Sequence, residues 1–129
     1  MRKIHFPLAL VLLLSACASQ SALQTFNDVY TAAVTADDLA VQAATTALNS
    51  GLITSAQAAA VQKITTDAMG LLTAAQAAFT AGDQITANKN VAAATATLVS
   101  LSICLTTKPL TVATFASCAA AVPAPAVTQ

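Results

Sequence analysis

The run from Ile53 to Gly82, ITSAQAAAVQKITTDAMGLLTAAQAAFTAG, is a helix written out with its own start and stop signals. Thr54 and Gln57 stand at capping-box spacing, so the threonine oxygen accepts from the amide three residues on and the glutamine reaches back to the cap. Ile53, just outside, is placed to staple against Ala58. Val61, Ile64, Ala68, Leu71, Leu72, Ala75, Ala78 and Phe79 then recur at helical spacing and trace one apolar face. Gly82 closes the helix at about Ala81, and Gly70 inside it costs about 1 kcal/mol relative to alanine.

The same grammar extends in both directions. Ser21-Ala22-Leu23-Gln24 repeats the capping-box spacing and opens a helix predicted from about Ala22 to Leu48. Leu23, Phe26, Tyr30, Val34, Val41 and Leu48 form its apolar stripe, beside a small-residue face of Ala33, Ala36, Ala40, Ala43 and Ala47. Asn49-Ser50-Gly51 ends it, with Gly51 suited to the left-handed position after a helix. Asp83 is a ready N-cap for a third helix carrying Ile85, Val91, Ala92, Leu98, Val99, Leu101, Ile103 and Leu105. Thr106-Thr107-Lys108-Pro109 breaks it, and a short last helix is expected over Leu110 to Ala121 with Val112, Phe115 and Ala119 inward. Short connections make neighbours antiparallel. The fold expected for residues 21–122 is therefore all-α, a slender antiparallel three-helix bundle with a short C-terminal helix. A disordered tail is expected over 123–129.

Composition agrees with one small helical domain. The chain has 129 residues, 57% hydrophobic and 8% charged, with a mean hydropathy of +0.72. Alanine, the best helix former, supplies 33 of them, and 18 threonines, poorer in helices, leave tertiary packing to provide much of the stability. Five basic residues balance five acidic ones and there is no tryptophan, so neither a basic patch nor a stacking platform for nucleic acid is present. Phe26, Tyr30, Phe79 and Phe115 read as core.

Ahead of the bundle, Arg2 and Lys3 precede an apolar run from Ile4 to Leu14, interrupted only by His5 and Pro7 and too short to span a bilayer. The run ends in Leu14-Ser15-Ala16-Cys17. This tetrapeptide resembles the lipobox of bacterial prolipoproteins, each position holding a residue which that motif permits. The resemblance covers the first 17 residues and is silent on the rest. It implies that residues 1–16 are a lipoprotein signal peptide cut before Cys17. It further implies a diacylglycerol on the Cys17 thiol, acylation of the new amino terminus, and a lipidated tether over 17–20. Two or more acyl chains suffice for stable anchoring. Ala18 stands where many enteric lipoproteins carry the aspartate of inner-membrane retention, so the implied address in a Gram-negative host is the periplasmic face of the outer membrane. Two other readings stay open: an ordinary signal peptide that leaves Cys17 a free thiol, and a short uncleaved anchor.

Processing at Cys17 removes the only arginine and the only histidine. Lys63, Lys89 and Lys108 then remain against Asp28, Asp37, Asp38, Asp67 and Asp83, two negative charges in excess, with no glutamate anywhere. With Cys17 lipidated, Cys104 and Cys118 are left in an oxidising compartment. A bridge between them closes a loop of about 15 residues and contributes about 3 kcal/mol. The alternative is two free thiols buried as small hydrophobes. Two cysteines without histidine do not complete a zinc shell, so no metal is expected. Ser55 and Lys63 lie about 12 Å apart along one helix, too far for a nucleophile and its base. Asp37 and Asp38, as consecutive helical residues, point in different directions and read as a solvated face. Lys63 and Asp67 read as a surface pair. No glycine cluster suggests a phosphate loop.

These features favour a lipid-anchored, non-catalytic envelope protein with a structural or protein-interaction role and no cofactor beyond the lipid on Cys17. Its expected partners are membrane lipid and either an envelope protein or a second copy. Length and composition are also similar to compact alanine-rich envelope lipoproteins of phage or prophage type, which act in superinfection exclusion or lysis. A third reading is a membrane-active hairpin of residues 91–105 and 110–127, since no charge lies between Asn90 and Thr107.

Overall fold

The computed structural model describes the backbone of residues 6–124 and the side chains of residues 24–124. Four helices follow one another: α1 Phe6–Asn49, α2 Ser55–Thr80, α3 Gln84–Thr106 and α4 Val112–Ala119. α1 passes through Ser21 without a break, so the first helix begins upstream of the cap expected there. The leucine- and alanine-rich segment before Ser21 is itself a good helix former, and extending a helix is cheaper than starting a new one.

The turns are built as their sequences dictate. After α1, the Gly51 amide donates to Leu48 and the Leu52 amide to Ala47; after α2, Gly82 donates to Phe79 and Asp83 to Ala78. These are paired Schellman bonds, which place the residue after the helix in the left-handed region. Gly51 and Gly82 accordingly have φ of 70° and 86°. Thr54 and Gln57 close the expected capping box at 3.1 and 3.0 Å. Asp83 caps α3 by accepting from the Thr86 amide at 3.1 Å. α4 starts two residues later than expected, at Val112, because Thr111 and Thr114 form a capping box of their own.

Two core clusters show the course of the chain. One joins Phe26 and Ala33 of α1 with Ala68 to Ala75 of α2 and Ala87 to Leu98 of α3. The other joins Ala40 to Ala47, then Ile53 and Val61, then Leu101 to Leu105, and adds Phe115 of α4. α1 thus runs along the bundle, α2 returns, and α3 runs beside α1: three antiparallel packed helices with a short fourth across one end. Buried positions repeat every 3.5 residues. Val61, Thr65, Ala68, Leu72 and Ala75 form the seam of α2, and Ala87, Val91, Ala94, Leu98, Leu101 and Leu105 that of α3. In α1 the inward line is Phe26, Ala33, Ala40 and Ala47, seven apart, while Val41 stays 43% exposed. Phe26 of the large-residue stripe and Ala33, Ala40 and Ala47 of the alanine face turn to the core together, with Tyr30, Val34 and Leu48 half-buried beside them. At the first cluster Phe26 stacks on Phe79 with ring centroids 4.2 Å apart and lies 6.0 Å from Tyr30.

Gly70 sits on the exposed side of α2, and a Cβ built there meets nothing within 4 Å. Gly70→Ala is expected to stabilise the bundle by about 0.5–1 kcal/mol, read as a higher thermal midpoint by circular dichroism. Gly51→Ala is expected to lower it, since a side chain is strained at that positive φ.

Candidate functional site

Leu14, Ser15, Ala16 and Cys17, the positions of lipobox resemblance, fall within the backbone span of α1; their side chains lie outside the described residues, as do residues 1–5 and 125–129. What the structure describes in detail is the other candidate, the cysteine pair and the segment it holds. Cys104, buried on α3, and Cys118, half-buried on α4, sit at disulfide distance with Cα atoms 5.6 Å apart. Three further contacts fasten the same segment. Phe115 inserts into the second core cluster at 2% exposure. The Gln57 amide nitrogen donates to the Val112 carbonyl at 3.0 Å, so one glutamine both caps α2 and ties down the start of α4. The Thr97 hydroxyl donates to the Pro123 carbonyl at 2.9 Å. Val112, expected inward, is 44% exposed; its carbonyl rather than its side chain makes the contact.

Asn90, Thr97 and Cys104 are seven residues apart and so form one line along α3. All three are buried, and the Asn90 Oδ1 has no hydrogen-bond partner. Neither Asn90 nor Thr97 belongs to a motif of reactive residues. The signal was their seven-residue spacing from Cys104, which marks a flank of the core seam.

Asp37 departs from the solvated face expected of it. It lies seven residues from both Tyr30 and Ala44, at the edge of the α1 seam, and its Oδ1 is buried without a partner. Burial first, and the neighbouring Asp38 charge second, hold its carboxyl above the ordinary value of 3.8. Asp38 itself is exposed. Asp83 is shifted the other way, because hydrogen bonds from Thr86 favour its charged form. Lys63 pairs with Asp67 at 2.7 Å on an exposed face, an i, i+4 contact of small energetic weight.

Between α1 and α2 runs an open groove of about 570 Å³ lined by residues including Val41, Ala44, Leu48, Ala58, Val61 and Thr65, with no titratable side chain in its lining. A second depression of about 490 Å³ lies at the α3–α4 connection, bounded by Leu52, Leu105 and Leu110 with Lys108 at its edge. Ser55 lines the groove while Lys63 is engaged by Asp67, so these two are not brought together as a nucleophile and base. Among the described residues, no three His, Cys, Asp or Glu side chains come together as a metal site. Family models, curated proteins and solved structures were all compared with this chain, and none matches it.

Two outcomes follow from this geometry. Replacing both Cys104 and Cys118 by serine is expected to cost roughly 2–4 kcal/mol, measured by denaturant unfolding, because α4 then closes its loop without a covalent tie. Asp37→Asn is expected to raise the thermal midpoint at pH 7 and leave it unchanged at pH 3. A carboxyl whose folded pKa is raised contributes stability below pH 3.8 that is lost as pH rises through its folded value, and asparagine removes that loss.

Proposed function

We propose that this chain is a non-catalytic helical lipoprotein of the bacterial envelope, anchored through Cys17 and acting by protein contact. The observation that carries the reading is the coincidence of Arg2 and Lys3, the short apolar run, and Leu14-Ser15-Ala16-Cys17 in one segment. Diacylglycerol on the Cys17 thiol, with acylation of its new amino group, holds the bundle at the membrane surface, on the periplasmic face of the outer membrane in a Gram-negative host. No cofactor enters beyond that lipid. Cys104 and Cys118, at disulfide distance on α3 and α4, suit a compartment that oxidises thiols, where the bridge keeps the C-terminal segment clipped to the bundle.

The interaction role draws support from the surface. The groove between α1 and α2 offers apolar and hydroxyl groups but no base or nucleophile–base pair. The membrane-hairpin reading has less behind it. α3 is apolar enough by length and composition to cross a bilayer, with a mean hydropathy of 1.3, yet 44% of that window is buried against the other helices. α4, in the second arm, has eight residues where a crossing needs about 20.

Intact mass of the membrane-extracted protein, with and without reductant, tests the proposal. The expected species starts at Cys17, carries added acyl mass, and gains two hydrogens on reduction. Cys17→Ser is expected to abolish the acyl mass. A species that retains residues 1–16 without lipid overturns the anchor.

A further inference from the structure

α1 is longer than the bundle it belongs to. Its described inward residues begin at Phe26, which stacks on Phe79, one residue before the end of α2. The turn at 81–83 closes this end within about one helical turn of Phe26, and among the described residues α1 alone continues beyond it. Its backbone is helical without a break from Phe6 to Asn49, so residues 17–25 extend the bundle's own helix. That stretch, CASQSALQT, holds no proline and no glycine, the residues at which helices kink sharply. The packed part of α1 supplies the nucleus, and each residue upstream only propagates it.

We propose that residues 17–25 form a rigid post that stands the bundle end-on at the membrane, with α4 and the cysteine pair at the far end. The inference rests on the envelope-lipoprotein reading and adds posture and reach to it. A lipid on Cys17 lies nine residues, about 13 Å, ahead of Phe26. Ala33, Ala40 and Ala47 hold the same helix in both core clusters, so the post cannot swing without the bundle. With α1 upright, Ala47 stands about 45 Å from the anchor. The cluster at that level holds Leu105, Cys104 and Phe115. The groove between α1 and α2, lined on α1 by Val41, Ala44, Thr45 and Leu48, spans heights of about 36–47 Å. The protein contact of the envelope reading is then made well beyond the lipid headgroups.

Nothing on the flanks of the bundle draws it down onto the lipid. A helix that lies in a bilayer surface carries cations along its polar face and aromatic anchors on its apolar one. After Cys17 the chain has three lysines against five aspartates, and Lys63 is already paired with Asp67. Phe26, Tyr30, Phe79 and Phe115 are all buried or half-buried, so no aromatic ring is left to anchor a flank. The outward side of α3 offers Ile85, Val99 and Ile103, with Asn88 and Lys89 exposed among them. It is the face that meets lipid if the post gives way.

Resonance energy transfer to headgroup-labelled lipid tests the posture. The lipidated chain is reconstituted in vesicles of phosphatidylethanolamine and phosphatidylglycerol, with a fluorophore on one added cysteine. Ile85→Cys and Ile103→Cys are the two sites, 71% and 59% exposed. They lie 18 residues apart on α3, about 27 Å along its axis. Transfer is expected to be several-fold more efficient from position 85 than from position 103. Inserting Gly-Ser-Gly after Ala22 is expected to bring the two close to equality. The same insertion is expected to leave the thermal midpoint unchanged by circular dichroism, because it precedes the core. Equal transfer from both sites of the uninterrupted chain shows a bundle lying on its side or turning freely, and overturns the proposal. So does a difference that survives the insertion, since the posture then does not depend on the post. Intact mass of the same sample reads the anchor: a lipidated chain with equal transfer overturns the posture alone, and a chain without acyl mass overturns the anchor and the posture with it.

Discussion

Close approach of three helix backbones, allowed by alanine at the contact positions, is the constraint under which the rest of the structure is built. Ala33 of α1 meets Ala68 and Ala75 of α2 and Ala87 and Ala94 of α3 in one cluster, and Ala40, Ala44 and Ala47 line the α1 side of the other. Alanine loses no rotamer entropy on burial, but it also removes little surface from water. The larger share of apolar burial therefore falls to Leu71, Leu72, Leu98 and Leu101, all on α2 and α3 and all fully buried. α2 and α3 form the packed pair, and α1 lies along it on a smooth, small-residue track.

Such a core is thin at its ends, and the chain closes one end with α4. Phe115 packs in one cluster with Ala40, Ile53, Leu101 and Leu105, and the cysteine pair, Gln57 and Thr97 hold that helix and the segment after it in place. At the other end the stacked Phe26 and Phe79 do comparable work without a covalent tie. The outcome is a rod of low charge whose distinguishing surfaces are a neutral groove and an uncovered face of α3.

Helix starts and stops were legible from residues because they are settled within four positions of chain. Thr54 with Gln57, Asp83 ahead of Gln84, and Gly51 and Gly82 after their helices carry their own hydrogen-bond partners with them. Cysteine parity likewise led to Cys104 and Cys118, since their pairing needed only a helix reversal at Lys108-Pro109. The start of α1 was not legible at Ser21, because a cap signal has no force where a helix already arrives from upstream.

The helical elements and their caps were determined by sequence alone, since backbone propensity and capping are local. Which way each helix turned its faces was decided only when the helices met. α3 carries large apolar side chains on its outward face as well as on its core face, so periodicity had no means to tell Leu98, fully buried, from Val99, nearly half exposed. Asp37 and Asp38 are adjacent and identical in type, yet one sits at the edge of a seam and the other in solvent. On α1 the core took Phe26 with Ala33, Ala40, Ala44 and Ala47 and left Val41 43% exposed, because one residue past Ala40 the helix has turned about 100° away from its neighbours.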